Sequence, residues 1–193
     1  MGKLRVAVLF DMDGVIIDSE GLYEKVQKIG LERYNLKLRQ EDYLRFKGLS
    51  EAAVFDILEK DYNMQWDRGV VIAESHLLLL EEFRKKLKYM PGFPEIITQL
   101  DKQFLLGLVT STGRDFLAQI DQILAVRKFF AKIVAGGDTI KTKPDPEPYT
   151  QIMQLLQVEP ANSVVIEDSV NGVRSGKAAG ARVIGLSATY SAN

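Results

Sequence analysis

The chain has 193 residues, 46% of them apolar and 26% charged, with a formal net charge of -1. That length suffices for a buried core, and the composition excludes a fibrous or long disordered chain. The near-zero charge leaves no overall positive field for a nucleic-acid backbone or an anionic membrane, and the absence of cysteine excludes disulfides, thiolate metal sites and a thiol nucleophile.

The first element is the apolar run Val6 to Phe10, short and rich in branched residues, as a buried parallel strand requires. Too few apolar residues precede Asp11 for a signal-peptide core or a membrane span, so the expected location is the cytoplasm. From Ser19 to Lys88 the apolar spacing is helical, with breaks near Asn35 to Arg39, Lys47 to Ser50 and Asp61 to Asp67. Leu77 to Leu80 reads as a buried helix segment, Trp66 as packing, His76 as a partly exposed helix residue, and the basic run Arg84 to Lys88 as a solvated face paired with Glu81 and Glu82. After Met90-Pro91-Gly92, strands at Leu105 to Val109, Val164 to Ile166 and Val183 to Leu186, and a weaker one at Ile133 to Ala135, alternate with helices. These are Pro94 to Leu100, Phe116 to Leu124, Pro148 to Leu156 and Val170 to Ala179. The expected fold is α/β: a Rossmann-like parallel sheet with helices on both faces and a small all-helical cap domain inserted after the first strand. Residues 1–17 and 90–193 form the core in this reading, and residues 18–89 the cap.

Chemistry concentrates at the strand ends. Asp11 and Asp13 follow the first strand, where burial of unpaired carboxylates is costly unless a cation compensates; the plainer alternative is a pair of turn residues before Gly14. Thr110-Ser111-Thr112-Gly113 follows the second strand and offers hydroxyl and N–H donors to a phosphoryl oxygen, or an ordinary turn before a helix. Lys143, among Pro144, Pro146 and Pro148, is a restrained ammonium suited to neutralising a phosphoryl group, or a surface lysine ahead of a helix. Glu167-Asp168 ends another strand. Magnesium needs few protein oxygens, and Asp11 with Asp168 suits it, Glu167 being an outer or alternative ligand; otherwise Asp168 caps the next helix.

The ordered set Asp11-Met12-Asp13-Gly14, Thr110-Ser111, Lys143-Pro144-Asp145-Pro146 and Glu167-Asp168-Ser169 resembles the four motifs of the haloacid-dehalogenase-like hydrolases, nearest the β-phosphoglucomutase-like branch with a helical cap. The resemblance runs from about Val6 to Leu186 and includes Gly136-Gly137-Asp138 and Asn171-Gly172-Val173. It implies a magnesium-dependent phosphatase in which Asp11 is the nucleophile that becomes an aspartyl-phosphate and Asp13 is the general acid and base. Thr110, Ser111 and Lys143 then hold the phosphoryl group, and Asp11, the Asp13 carbonyl, Asp168 and Glu167 serve magnesium. An aspartate at position 13 argues against carbon–halogen cleavage, because an alkoxide leaving group needs a proton donor.

The resemblance also has departures. Tyr23 stands where the mutases of this branch carry a histidine, and Glu51 stands where they carry an arginine that holds a distal phosphate. Simple hydrolysis of a small phosphomonoester, a sugar phosphate or a nucleoside monophosphate, is therefore expected over phosphoryl shuttling. A phosphomutase and an inactive binding module on the same fold are the alternatives. The expected partner is a small phosphorylated metabolite, not nucleic acid or membrane, with a monomer as the default state.

Overall fold

The structure is a computed structural model that describes residues 5–46 and 48–186, with nothing of the Glu20 side chain. Among the described residues five strands form one parallel sheet: β1 (Ala7–Phe10), β2 (Leu105–Gly113), β3 (Lys132–Gly136), β4 (Ser163–Glu167) and β5 (Arg182–Gly185), in the order β3-β2-β1-β4-β5. The helices are α1 (Glu20–Glu32), α2 (Gln40–Phe46), α3 (Glu51–Tyr62), α4 (Arg68–Lys86), α5 (Phe93–Leu100), α6 (Arg114–Ile123), α7 (Glu147–Leu156) and α8 (Val170–Ala178).

The period-two alternation of each strand sorts its side chains onto two cores. Val8, Phe10, Leu106 and Leu108 pack with Phe93 and Ile97 of α5 and with Phe116, Leu117 and Ile120 of α6. Ala7, Leu9, Val109 and Val165 face Tyr149, Ile152, Met153 and Leu156 of α7 on the other side. Both faces are covered, which is why the strands read as continuous apolar runs rather than alternating ones. β1 lies between β2 and β4, so three strand ends that carry acids or hydroxyls open on the same edge.

Two details differ from the sequence expectation. Thr110 to Gly113 does not follow the second strand but prolongs it, pairing again with β3 at Gly136 after an irregular register between Val109 and Gly113. Leu77 is 70% exposed, whereas Leu79 and Leu80 are buried; a helix of this pitch cannot turn four consecutive side chains inward. The weak strand at Ile133 to Ala135 is a full edge strand, and the basic run is a solvated face, with Lys85 on Glu81 at 2.6 Å.

α1 to α4 form the cap. α3 starts where Ser50 accepts a hydrogen bond from the Ala53 N–H and ends at left-handed Asn63; α4 starts where Asp67 accepts from the Val70 N–H. The cap has its own small core of Leu31, Leu36, Phe46 and Leu58, with Trp66 edge-on to both Tyr34 and Phe55. The two connecting segments run side by side: the Asp18 N–H donates to the Lys88 carbonyl at 3.0 Å, and the Met90 N–H to the Ile16 carbonyl at 2.8 Å.

Candidate active site

Asp11 leaves β1 still in register, its N–H bonded to the Ile166 carbonyl of β4 at 3.0 Å, so its carboxylate stands beside the end of that strand. Lys143 arrives from a loop 132 residues away in sequence and is 2% exposed. Its ammonium donates to Asp11 Oδ1 at 2.6 Å, Glu167 Oε1 at 2.6 Å and the Val109 carbonyl at 3.0 Å. A buried lysine with all three donors spent in this way is fixed, not a surface residue ahead of a helix.

Glu167 is fully buried and saturated. Oε1 accepts from Lys143 and from the Tyr149 hydroxyl at 2.9 Å; Oε2 accepts from the main-chain N–H groups of Asp168 and Ser169 and from the Ser169 hydroxyl. Gly172, in the first turn of α8, lets the helix lie directly on this carboxylate, because a Cβ there would collide with it. The helix cap is Ser169, whose hydroxyl accepts from the Gly172 N–H at 3.0 Å, so Asp168 is not spent on that task. Asp168 is 4% exposed, and ligand atoms of Asp11, Glu167 and Asp168 lie within 4.8 Å of one another.

Asp13 is held from two sides. Ser19 donates to Oδ1 at 2.6 Å and Thr112 to Oδ2 at 3.3 Å. Ser19 occupies the N-cap position of α1 yet makes no side-chain cap bond, because its hydroxyl is turned to Asp13 instead. Thr110, buried beside the Lys143 anchor on β2, accepts from the Thr112 N–H at 3.1 Å. Ser111 points at the cap, where its hydroxyl donates to the Gly48 carbonyl at 3.2 Å. Gly48, at φ +74°, is pressed so closely on Ser169 that a Cβ would clash, which draws the loop before α3 onto the sheet edge.

Charge is unbalanced here. Asp11, Asp13, Glu167 and Asp168 gather four carboxylates around the single Lys143 ammonium. Burial, reinforced by Glu167 and opposed by Lys143, pushes the Asp11 carboxyl well above the ordinary carboxylate range. Burial would also raise Glu167, but Lys143 and the hydrogen bonds of Tyr149 and Ser169 outweigh it and hold Glu167 low. For Lys143 burial works downward, and Asp11 and Glu167 more than reverse it, so the ammonium stays charged. Asp11, Glu167 and Asp168 could together hold a divalent cation, which would supply the missing positive charge, and an all-oxygen donor set suits a hard ion.

Of the residues the sequence pointed to, Asp11, Lys143, Glu167 and Asp168 therefore meet at one point, with Asp13 and Thr110 beside them and Ser111 turned to the cap. Sequence reasoning did not single out Ser19, which it took only as the start of a helical segment, or Tyr149, which sits on the apolar stripe of α7 and gives no sign that its hydroxyl reaches Glu167.

The acidic, lysine-countered cluster lies at the carboxyl edge of a parallel sheet, where α/β folds place their ligands. Comparison with known proteins agrees: the family profile described as haloacid dehalogenase-like hydrolase matches residues 8–186. The chain belongs to the haloacid dehalogenase-like hydrolase family. It is 32% identical to a phosphorylated carbohydrates phosphatase of Thermotoga maritima over 90% of this chain and 81% of that protein. It is 26% identical to the pyrophosphatase PpaX of Oceanobacillus iheyensis over 89% of this chain and 78% of that one. Among solved structures, a candidate beta-phosphoglucomutase of Thermotoga maritima superposes with a TM-score of 0.74 at 32% identity, covering 97% of this chain and 87% of that one.

Proposed function

We propose that this hydrolase is a magnesium-dependent phosphatase that cleaves a small phosphomonoester through an aspartyl-phosphate on Asp11. The observation that carries the reading is the bond of Lys143 to both Asp11 and Glu167 at 2.6 Å, beside Asp168, at the edge where three parallel strands end. The named activity of the Thermotoga phosphatase supports the same class of substrate.

A carboxylate oxygen of Asp11 attacks phosphorus; the phosphorus–oxygen bond to the alcohol breaks as a new one to Asp11 forms. The departing oxygen takes a proton from Asp13, which Ser19 and Thr112 hold in place. Asp13, now a carboxylate, removes a proton from water, and the water oxygen attacks phosphorus, releasing Asp11 and inorganic phosphate. Donors around Thr110 hold phosphoryl oxygens, and the Lys143 ammonium, fixed beside Asp11, balances their charge, in a reaction governed by positioning and electrostatics. Asp11, Asp168 and the Asp13 carbonyl would hold the metal, with Glu167 beside them anchoring Lys143. The metal, when bound, offsets the charge on the phosphoryl group and orients it.

We assign residues 18–89 to the cap and residues 1–17 with 90–193 to the core, of which 1–4, 47 and 187–193 lie outside the described residues, because the chain enters and leaves the cap through the paired segments at Asp18 and Lys88. Hydrolysis is favoured over a mutase reaction because Glu51, paired with His76 at 2.8 Å, stands at the position where the resemblance to the mutases implies an arginine for a distal phosphate.

Phosphate release across a set of phosphorylated metabolites tests the assignment. Activity that requires magnesium, disappears on chelation and falls about 10³-fold or more in Asp11→Asn is the expected result. Turnover that survives chelation or the substitution refutes it, and an isomerised sugar phosphate without free phosphate establishes a mutase instead.

A further inference from the structure

We propose that Tyr149 is a positioning residue of this site: by its hydroxyl, through Glu167, and by its ring face, directly, it fixes the Lys143 ammonium beside Asp11. This rests on the role given above to Lys143 in balancing the phosphoryl charge.

Tyr149 belongs to α7, the helix that follows the Lys143 loop, and is completely buried. Its ring shares the core of Leu9, Val109, Ile152, Met153 and Val165 between the sheet and α7. A phenylalanine would fill that core with no polar group to satisfy, so the hydroxyl answers to something other than packing. Its partner is Glu167 Oε1 at 2.9 Å, the same oxygen that accepts from Lys143 at 2.6 Å. The Lys143 ammonium also stands over the Tyr149 ring, 5.1 Å from the centroid, where the negative face of the ring attracts a cation. One buried side chain therefore meets the lysine by two routes.

A lysine stem is flexible and does not by itself hold its charge in one place. Oε2 of Glu167 is tied to the turn after β4, accepting from the Asp168 N–H at 3.1 Å, the Ser169 N–H at 3.2 Å and the Ser169 hydroxyl at 3.1 Å. Tyr149 ties Oε1 to α7, so two separate elements hold the carboxylate and keep it turned to Lys143. The same helix holds the loop that carries the lysine: Glu147 accepts from the Ile140 and Lys141 N–H groups at 3.0 and 2.9 Å, and Asp145 accepts from the Glu147 N–H at 3.0 Å. The first turn of α7 thus sets the backbone of that loop and, through Tyr149, the far end of its lysine side chain. Lys143 serves the phosphoryl group whatever alcohol it carries, whereas Asp13 serves the departing oxygen. Loss of the Tyr149 hydroxyl therefore slows good and poor leaving groups alike, and loss of Asp13 does not.

The test is Tyr149→Phe, which keeps the ring and removes the hydroxyl. Its kcat/KM is expected to fall about tenfold, by one factor for para-nitrophenyl phosphate and for an alkyl phosphate, with KM little changed. Heteronuclear NMR of the lysine ammonium groups follows Lys143 directly, its signal assigned by its absence from Lys143→Arg. Slow proton exchange with water is expected in the wild type, with faster exchange and greater mobility in Tyr149→Phe. An unchanged Lys143 signal, an unchanged kcat/KM beside a lowered melting temperature, or a loss confined to the alkyl phosphate overturns the proposal. The spectra need no substrate, so the two readings fail separately. A wild-type enzyme that releases no phosphate from any substrate refutes the phosphatase, and the ammonium signal still decides whether Tyr149 holds Lys143.

Discussion

The sheet edge and the cap both contain a buried acid bonded to a basic side chain, and the two are built to different ends. In the cap, Asp42 is 1% exposed, takes a two-pronged bond from Arg39 at 3.0 Å on each oxygen, and accepts a short hydrogen bond from Tyr62. The Asp42 carboxylate meets one guanidinium, which also pairs with Glu41 at 3.1 Å, and one phenol, so its bonding is satisfied. The Arg39 hydrogen bonds, ahead of an opposing contribution from burial, pull the Asp42 carboxyl down to about 2. At the sheet edge four carboxylates meet one ammonium, and burial pushes Asp11 the other way. A satisfied pair stabilises the fold; an excess of buried acid is a place prepared for a cation and a phosphoryl group.

The largest effect that can break this contrast falls at Asp13. Asp13→Asn is expected to keep the fold and lower kcat by about 10²- to 10⁴-fold, the range of a lost general acid, as measured with a poor leaving group such as an alkyl phosphate. A small effect there would make Asp13 a turn residue. Tyr149→Phe removes a single donor from Glu167 without opening a cavity and is expected to lower turnover about tenfold through a loosened Lys143, with KM little changed. Steady-state kinetics separates that outcome from a purely structural role, in which only the melting temperature would move.

At the cap the expected effect is on stability alone. Asp42→Asn should cost about 1–3 kcal/mol in denaturant unfolding while kcat stays near wild type. Because Asp42 has a folded pKa of about 2 against an ordinary 3.8, its stabilising contribution is complete above the ordinary value and is lost as pH falls through about 2. Acid unfolding should therefore be shallower in Asp42→Asn over that window, and an identical pH dependence in both proteins would contradict the ion-pair account.

Much of this was legible in the chain. Val6 to Phe10 and Val164 to Ile166 read as buried strands, and the acids that follow them, Asp11 and Glu167-Asp168, are costly to bury unless a cation compensates them. Lys143 was legible through its prolines. The same pattern that exposes these residues hides others, because a side chain with a sufficient local explanation gives no hint of a distant partner. Ser19 reads as the start of a helical segment and Tyr149 as a core residue, yet each sends a hydroxyl to a carboxylate. Ser111 stands beside Thr110 in a run of hydroxyls, and only the folded cap shows that Gly48 claims it. The pairing of Glu51 with His76, 25 residues apart, is likewise visible only once α3 and α4 are placed in the fold.

The central claim is that Asp11 is covalently phosphorylated during turnover, and the most direct measurement is acid quenching of the working enzyme followed by borohydride reduction and peptide mass spectrometry. The account predicts reduction of the side chain at position 11 only when substrate and divalent metal are both present. An unmodified Asp11 in an enzyme caught at steady state, or modification at a different residue, would contradict it.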